Sequence, residues 1–257
     1  WPPDVAEKYL REIRPLADRM NARIIANIAC EVVDERLRDI AHRMEVAGAD
    51  LIECAGACPI LMSVDEIAEW HRMHLIEAVR LLKEGVSIPV MLKTVSMHLP
   101  SPAIQALRNV GLDAVHDLPD VSGVAINIET ATPIMPSPAP YFGRGMRATG
   151  CHTVSQAYGR IQLPLMSTGG IRTARDAIER MMCGATLVGV CTAVIYQGYG
   201  VINEIVNGME QFLKRKRYTR SKDIVGLAVA SIDDRHAFGH FLEERRVPQE
   251  ALVTQVE

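Results

Sequence analysis

Two short turns carry the residue types best suited to gripping an anion. Leu165-Met166-Ser167-Thr168-Gly169-Gly170-Ile171-Arg172 is an apolar run that ends in paired glycines. Leu187-Val188-Gly189-Val190-Cys191-Thr192-Ala193 repeats the design further on. Glycine lets backbone N–H groups approach a phosphate closely, and a following helix adds the positive end of its dipole. Thr192 can add a hydroxyl. Packing would explain either turn alone. On consecutive strand–helix units, the pair predicts a phosphate site built from Thr168, Gly169, Gly170, Cys191 and Thr192.

Three further stretches could do chemistry. Lys93 ends the apolar run Val90-Met91-Leu92. A lysine whose stem is buried there is costly unless its ammonium meets an anion or an electron-rich cofactor. Glu53-Cys54-Ala55-Gly56-Ala57-Cys58-Pro59 puts small residues at a strand end, with room for a ligand. Cys58, just before a proline at that rim, is a candidate proton-transfer group or nucleophile. Cys54 and Cys58 have no second Cys/His pair at matching spacing, so no metal site is predicted. His116-Asp117 ends another strand, and both are candidates for the mouth of the site.

The elements that must position these residues alternate. Apolar runs near residues 23, 51, 89, 114, 164 and 187 read as strands buried on both faces, with helical patterns between them. Helices are expected at Asp34–Val46, Ser63–Lys83, Ala103–Val110, His152–Arg160 and Thr173–Cys183, then at Thr192–Tyr196 and Val201–Leu213. The proline-rich stretch Val121–Gly150 reads as one long functional loop. No G-x-G-x-x-G follows the first strand, which argues against a doubly wound dinucleotide fold. Glycine-bearing phosphate turns on the last two strands are the arrangement of a (β/α)8 TIM barrel. A barrel needs eight strands and six are visible, so the first two are expected to be absent from this sequence. The chain also opens on Trp1 rather than Met, which agrees with roughly two missing βα units. An open six-stranded sheet is the competing reading. The expected domains are a barrel over 1–228 and a helical tail over 229–257, with a tail helix at Asp233–Arg246.

Bulk properties narrow the function. The chain has 257 residues, 48% of them hydrophobic, which suits one large α/β domain. Its net charge of −3 argues against a nucleic-acid partner. The one basic run, Lys214-Arg215-Lys216-Arg217, reads as a solvated helix end. The six cysteines show no secreted spacing, so free thiols and a cytoplasmic location are expected. No apolar run is long enough to span a membrane. The apolar face of the tail helix (Ala237, Phe238, Phe241, Leu242) fits either a homo-oligomer contact or packing on its own barrel.

Together these stretches resemble the flavin-binding domain of the dihydroorotate dehydrogenase and dihydropyrimidine dehydrogenase family. The likeness is closest over residues 164–228, through the GG turn, Val188-Gly189-Val190-Cys191-Thr192-Ala193-Val194, Ile205–Leu213 and Ile224-Val225-Gly226-Leu227. That half looks most like the dihydropyrimidine dehydrogenase branch, and weaker similarity runs back to about residue 20. The resemblance implies FMN, with its phosphate on Gly169, Gly170, Cys191 and Thr192. It implies that Lys93 contacts the isoalloxazine ring, that Gly143 or Gly145 lies near the flavin, and that Cys58 is the acid/base.

The family holds its pyrimidine with asparagines. This chain has Ala55 three residues before the cysteine, Ile60 after the proline and Pro119 at the next-but-one strand end. None of the three can make the two-sided amide contact of an asparagine. Each lost partner costs about 1–3 kcal/mol, so the expected substrate is a less polar one than dihydroorotate or uracil. Ala55, Ile60, His116 and Pro119 would line it. No nicotinamide motif is visible, so electrons are expected through a partner subunit or a preceding segment. A homologue that keeps the phosphate turns and has lost catalysis is the alternative. The tRNA dihydrouridine synthases share a Cys-Pro after a similar strand, but the acidic balance and missing basic domain argue against them.

Overall fold

The structure is a computed structural model, and it describes residues 2–30, 32–56, 73–94, 98–119, 121–134 and 139–232. Cys58, Ile60, the first part of the Ser63–Lys83 helix and the Asp233–Arg246 helix lie outside the described residues.

Six parallel strands form one sheet: β1 (Ile25–Ala29), β2 (Leu51–Ala55), β3 (Val90–Thr94), β4 (Ala114–Asp117), β5 (Leu165–Ser167) and β6 (Leu187–Val188). They lie side by side in chain order, with no reversal. A doubly wound sheet would reverse at a switch point, whereas a barrel keeps chain order throughout. The helices between them are α1 (Pro3–Arg19), α2 (Arg36–Ala47), α3 (Leu75–Gly85), α4 (Ser101–Asn109), α5 (Met146–Ala157), α6 (Ala174–Met182), α7 (Thr192–Gln197), α8 (Gly200–Lys216) and α9 (Val229–Ile232). Lys214, Arg215 and Lys216 occupy the last turn of α8, where positive charge suits the dipole.

Successive strand residues point to opposite faces, and parallel partners share a face. Ala26, Ile28, Ile52, Cys54, Val90, Leu92, Val115 and Leu165 share the face that packs on the helices, and all belong to one buried core. The other face carries Asn27, Glu53, Ala55, Met91, Lys93, His116 and Met166. This is the inward face of the barrel. Its row Ala29, Ala55, Lys93, His116, Met166 and Leu187 runs across all six strands by register.

Two elements differ from the sequence expectation. The stretch 121–150 is not one irregular loop. It contains two small antiparallel ribbons, Ser122–Gly123 with Ala139–Pro140 and Ile126–Asn127 with Thr132–Pro133. It also contains the start of α5, which begins at Met146 rather than near residue 152. Gly150 inside α5 weakens the helical signal. The glycine is required, because a Cβ there would lie 2.2 Å from a guanidinium nitrogen of Arg180.

Candidate functional site

The first phosphate turn follows β5 and is fixed from below by one buried cation. Arg180, on α6, has no solvent-exposed surface. Its Nη1 donates to the Ser167 hydroxyl at 2.7 Å and to the Thr168 carbonyl at 3.0 Å. Its Nη2 donates to the Gly169 carbonyl at 2.8 Å and to the Arg147 carbonyl at 3.2 Å. In a trans peptide the carbonyl and the next N–H point in opposite directions. Drawing the Thr168 and Gly169 carbonyls down to Arg180 therefore turns the Gly169 and Gly170 N–H groups the other way. Both glycines have positive φ, +93° and +80°. Gly170 also lies against the start of α5, where a Cβ would come within 2.4 Å of the Arg147 nitrogen. Only glycine satisfies both demands.

The second turn lies beside the first. Gly189 N donates to Ser167 O at 2.9 Å, continuing the β5–β6 pairing into the turns. Cys191 is exposed and precedes α7, and no side chain caps that helix start. Thr192 is half-buried at its first position. Gly145 precedes α5 and Gly143 adopts φ +100° just before it, so both sit at the end of the helix that Gly170 touches. The structure thus brings Gly143, Gly145, Thr168, Gly169 and Gly170 into one neighbourhood.

The start of α6 has three of its N–H groups, those of Arg172, Thr173 and Asp176, held by side-chain oxygens. Thr173 caps it, with Asp176 N donating to the Thr173 hydroxyl at 3.3 Å. The Asp176 carboxylate accepts from Arg172 N at 3.1 Å and Thr173 N at 3.0 Å.

Lys93 is the last but one residue of β3, half-buried on the inward face between Ala55 of β2 and His116 of β4. His116 is buried and paired: its Nδ1 lies 2.5 Å from Glu53 Oε1, and its Nε2 lies 3.0 Å from Thr168 Oγ1. Asn27 donates to the other Glu53 oxygen. Burial works to raise the Glu53 carboxyl pKa, but His116, Asn27 and Lys93 together bring it below its ordinary value. Asp117 does not share the mouth with His116. It points the opposite way, where the Thr153 hydroxyl donates to it at 2.6 Å. Pro119 packs over the turn, 3.2 Å from where a Gly169 Cβ would stand. Ala55 ends β2 on the inward face.

Glu53, Asn27 and Arg180 escaped the sequence reading. The strand period did hold a signal: Asn27 and Glu53 fall on alternate positions facing away from Ile28 and Ile52. Arg180 gave none, because a single arginine in an ordinary amphipathic helix reads as a solvent-facing residue.

A family model described as dihydroorotate dehydrogenase matches residues 4–213. The chain belongs to the dihydroorotate dehydrogenase family. The catalytic subunit of dihydroorotate dehydrogenase B (NAD(+)) from Methanocaldococcus jannaschii is 30% identical over 227 residues, 86% of this chain and 73% of that protein. The Methanosarcina mazei protein of the same name is 30% identical over 223 residues, 86% of this chain and 70% of its own. A crystal structure of DHODH from Eimeria tenella in complex with ferulenol matches with a TM-score of 0.65 at 18% identity, over 88% of this chain and 67% of that one. This likeness supports the barrel fold. The family is one of FMN oxidoreductases, and FMN is its cofactor. The residues present fit that group: two glycine N–H groups turned out from a turn anchored on a buried arginine, beside a strand-end lysine. Among the described residues, no cluster of three or more metal-ligating side chains occurs. No described helix is long and apolar enough to cross a membrane.

Proposed function

We propose that the chain is the flavin-bearing part of an oxidoreductase that moves a hydride to or from a CH–CH bond. The turn at Thr168-Gly169-Gly170, anchored on Arg180 beside the Lys93 row, carries this reading. Gly169 and Gly170, with Cys191 and Thr192, hold the FMN phosphate. Bound FMN supplies the two-electron carrier that amino-acid side chains lack. Lys93 places positive charge at the ring, where negative charge develops. Cys58 is the acid/base that moves the accompanying proton.

The substrate is a less polar molecule than dihydroorotate or uracil. Ala55 and Pro119 stand at two strand ends where the family resemblance calls for asparagine, and Ile60 follows the same pattern. The relatives' names point the other way, since both are named for dihydroorotate. Both are also named as catalytic subunits with NAD(+), which supports a second subunit as the electron partner. The barrel over 1–228, the tail over 229–257 and a homo-oligomeric state are part of this proposal.

An absorption spectrum of the purified protein is the first test, with flavin bands expected. Dihydroorotate added under anaerobic conditions should leave the flavin oxidised, and bleaching would overturn the substrate reading. Cys58→Ala should keep flavin bound and abolish substrate-linked turnover. Unchanged turnover would remove Cys58 from the mechanism.

A further inference from the structure

The inward face holds a second cluster that the phosphate turns and Lys93 do not account for. Glu53 and His116 stand on β2 and β4, with side chains only 8% and 7% exposed. A carboxylate taken from water at such a site is costly unless donors surround it. Here the imidazole Nδ1 lies 2.5 Å from one oxygen, and the Asn27 amide donates to the other. With Glu53 ionised, the neutral imidazole must carry its proton on Nδ1, as donor to Oε1. Nε2 is then an acceptor, 3.0 Å from the Thr168 hydroxyl. The line carboxylate–imidazole–hydroxyl therefore ends at the first residue of the phosphate turn.

Register places this line beside the cofactor contact. His116 is the β4 partner of Lys93, so both side chains leave the sheet on the same face at the same height. The groups facing the imidazole are Glu53 from β2, Lys93 from β3, Asn27 by way of Glu53 from β1, and Thr168. Met166, its partner on β5, carries no charge. Glu53 and Lys93 balance each other while the imidazole is neutral. Extra negative charge at the Lys93 end leaves the face short of one positive charge, and the acceptor nitrogen Nε2 of His116 is where a proton can be added on that face.

We propose that Glu53, His116 and Thr168 form a proton-holding relay, in which Nε2 of His116 takes a proton from solvent when negative charge appears beside Lys93. The new bond is Nε2–H. Thr168 then accepts from Nε2 rather than donating to it, and Glu53 stays ionised to hold the imidazolium. His116 is thus a positioning residue that tunes charge at the cofactor. The inference rests on FMN occupying the site as proposed above.

Two measurements test it, one independent of FMN. Nitrogen-15 NMR of histidine-labelled protein without flavin should show the neutral His116 ring protonated on Nδ1. Glu53→Gln should lose that fixed tautomer. A ring protonated on Nε2 in the unmutated protein would overturn the relay, whatever the flavin does. In the FMN-loaded protein, the flavin midpoint potential is followed against pH with dithionite as reductant. One proton linked to two electrons contributes about 30 mV per pH unit. His116→Asn, or His116→Gln if the first does not fold, should flatten the slope by that amount over the range in which the unmutated protein shows it. An unchanged slope would overturn the relay. Failure to bind any FMN would instead break the flavin reading, while the tautomer result still stands on its own.

Discussion

The two faces of the sheet solve different problems with adjacent residues. Leu92 and Lys93 are neighbours on β3, yet Leu92 is fully buried against the helices and Lys93 stands half-buried on the inward face. Ile52, Glu53 and Cys54 alternate in the same way on β2. The helix face is filled by apolar side chains, each contributing about 1.5–3 kcal/mol through burial. The inward face buries a carboxylate against an imidazole, and little stability is gained there because the cost of desolvation offsets the attraction. One face stabilises the fold, and the other is the face proposed to carry the chemistry. A one-residue slip of register would exchange them.

Substitution at the adjacent pair separates the two roles most directly. Leu92→Ala should lose about 2–5 kcal/mol by urea denaturation, since the site is closely packed on all sides. Flavin affinity in the surviving folded protein should change little. Lys93→Ala should reverse the pattern, with stability within about 1 kcal/mol of the parent and weakened flavin binding by fluorescence titration. Equal stability losses at both positions would show that the faces are not distinct.

Arg180 is the exception that sharpens the comparison, because it is a fully buried cation on the helix side. Its acceptors are Ser167, Thr168, Gly169 and the Arg147 carbonyl, so it joins the helix layer to the turn. Arg180→Met keeps the volume and removes the donors. It should cost about 4 kcal/mol or more, since each of the four abandoned acceptors loses about 1 kcal/mol or more. Unlike Leu92→Ala, it should also weaken FMN binding, because the turn peptides are released. Retained affinity would mean that the turn holds its shape without Arg180.

The same cation marks a chemical difference between two cysteine sites. Cys151 lies near Arg180 and has its pKa lowered to about 6, first by a hydrogen bond from Cys183 and then by the Arg180 charge. Cys30 and Cys54 are buried 3.5 Å apart, and Cys54 is pushed well above the ordinary thiol range by that contact and by burial. Alkylation by iodoacetamide, read by mass spectrometry, should reach half its maximal rate near pH 6 at Cys151 and leave Cys54 unmodified at pH 8. A Cys151 profile centred near pH ~8.5 would remove the influence of both Cys183 and Arg180.

Much of this was legible in the sequence, for identifiable reasons. The six strands showed as apolar runs because they are covered on one face and crowded on the other. The paired turns showed because glycine is required where φ is positive and where Gly170 meets α5. The ribbons within 121–145 were hidden by short pairings and prolines. The start of α5 was hidden by Gly150, which exists to admit Arg180. The Glu53–His116 pair was hidden because pairing across β2 and β4 depends on register, which one strand cannot report. Glu53 and His116 are separated by β3, and only the sheet brings them together.

The smallest effect concerns the start of α6, where part of an expected anion contact is already occupied. Thr173 and Asp176 close a capping box on α6, and their oxygens take the N–H groups of Arg172, Thr173 and Asp176. Thr173→Ala removes one side of the box and should cost about 1 kcal/mol in urea denaturation. If the glycine turn alone grips the phosphate, FMN affinity should remain within about twofold, well under 1.4 kcal/mol. If the helix end competes for the anion, freeing its N–H groups should tighten FMN binding instead. Tighter binding would restore the helix dipole to the site, whereas unchanged binding would leave the turn and its buried arginine as the grip.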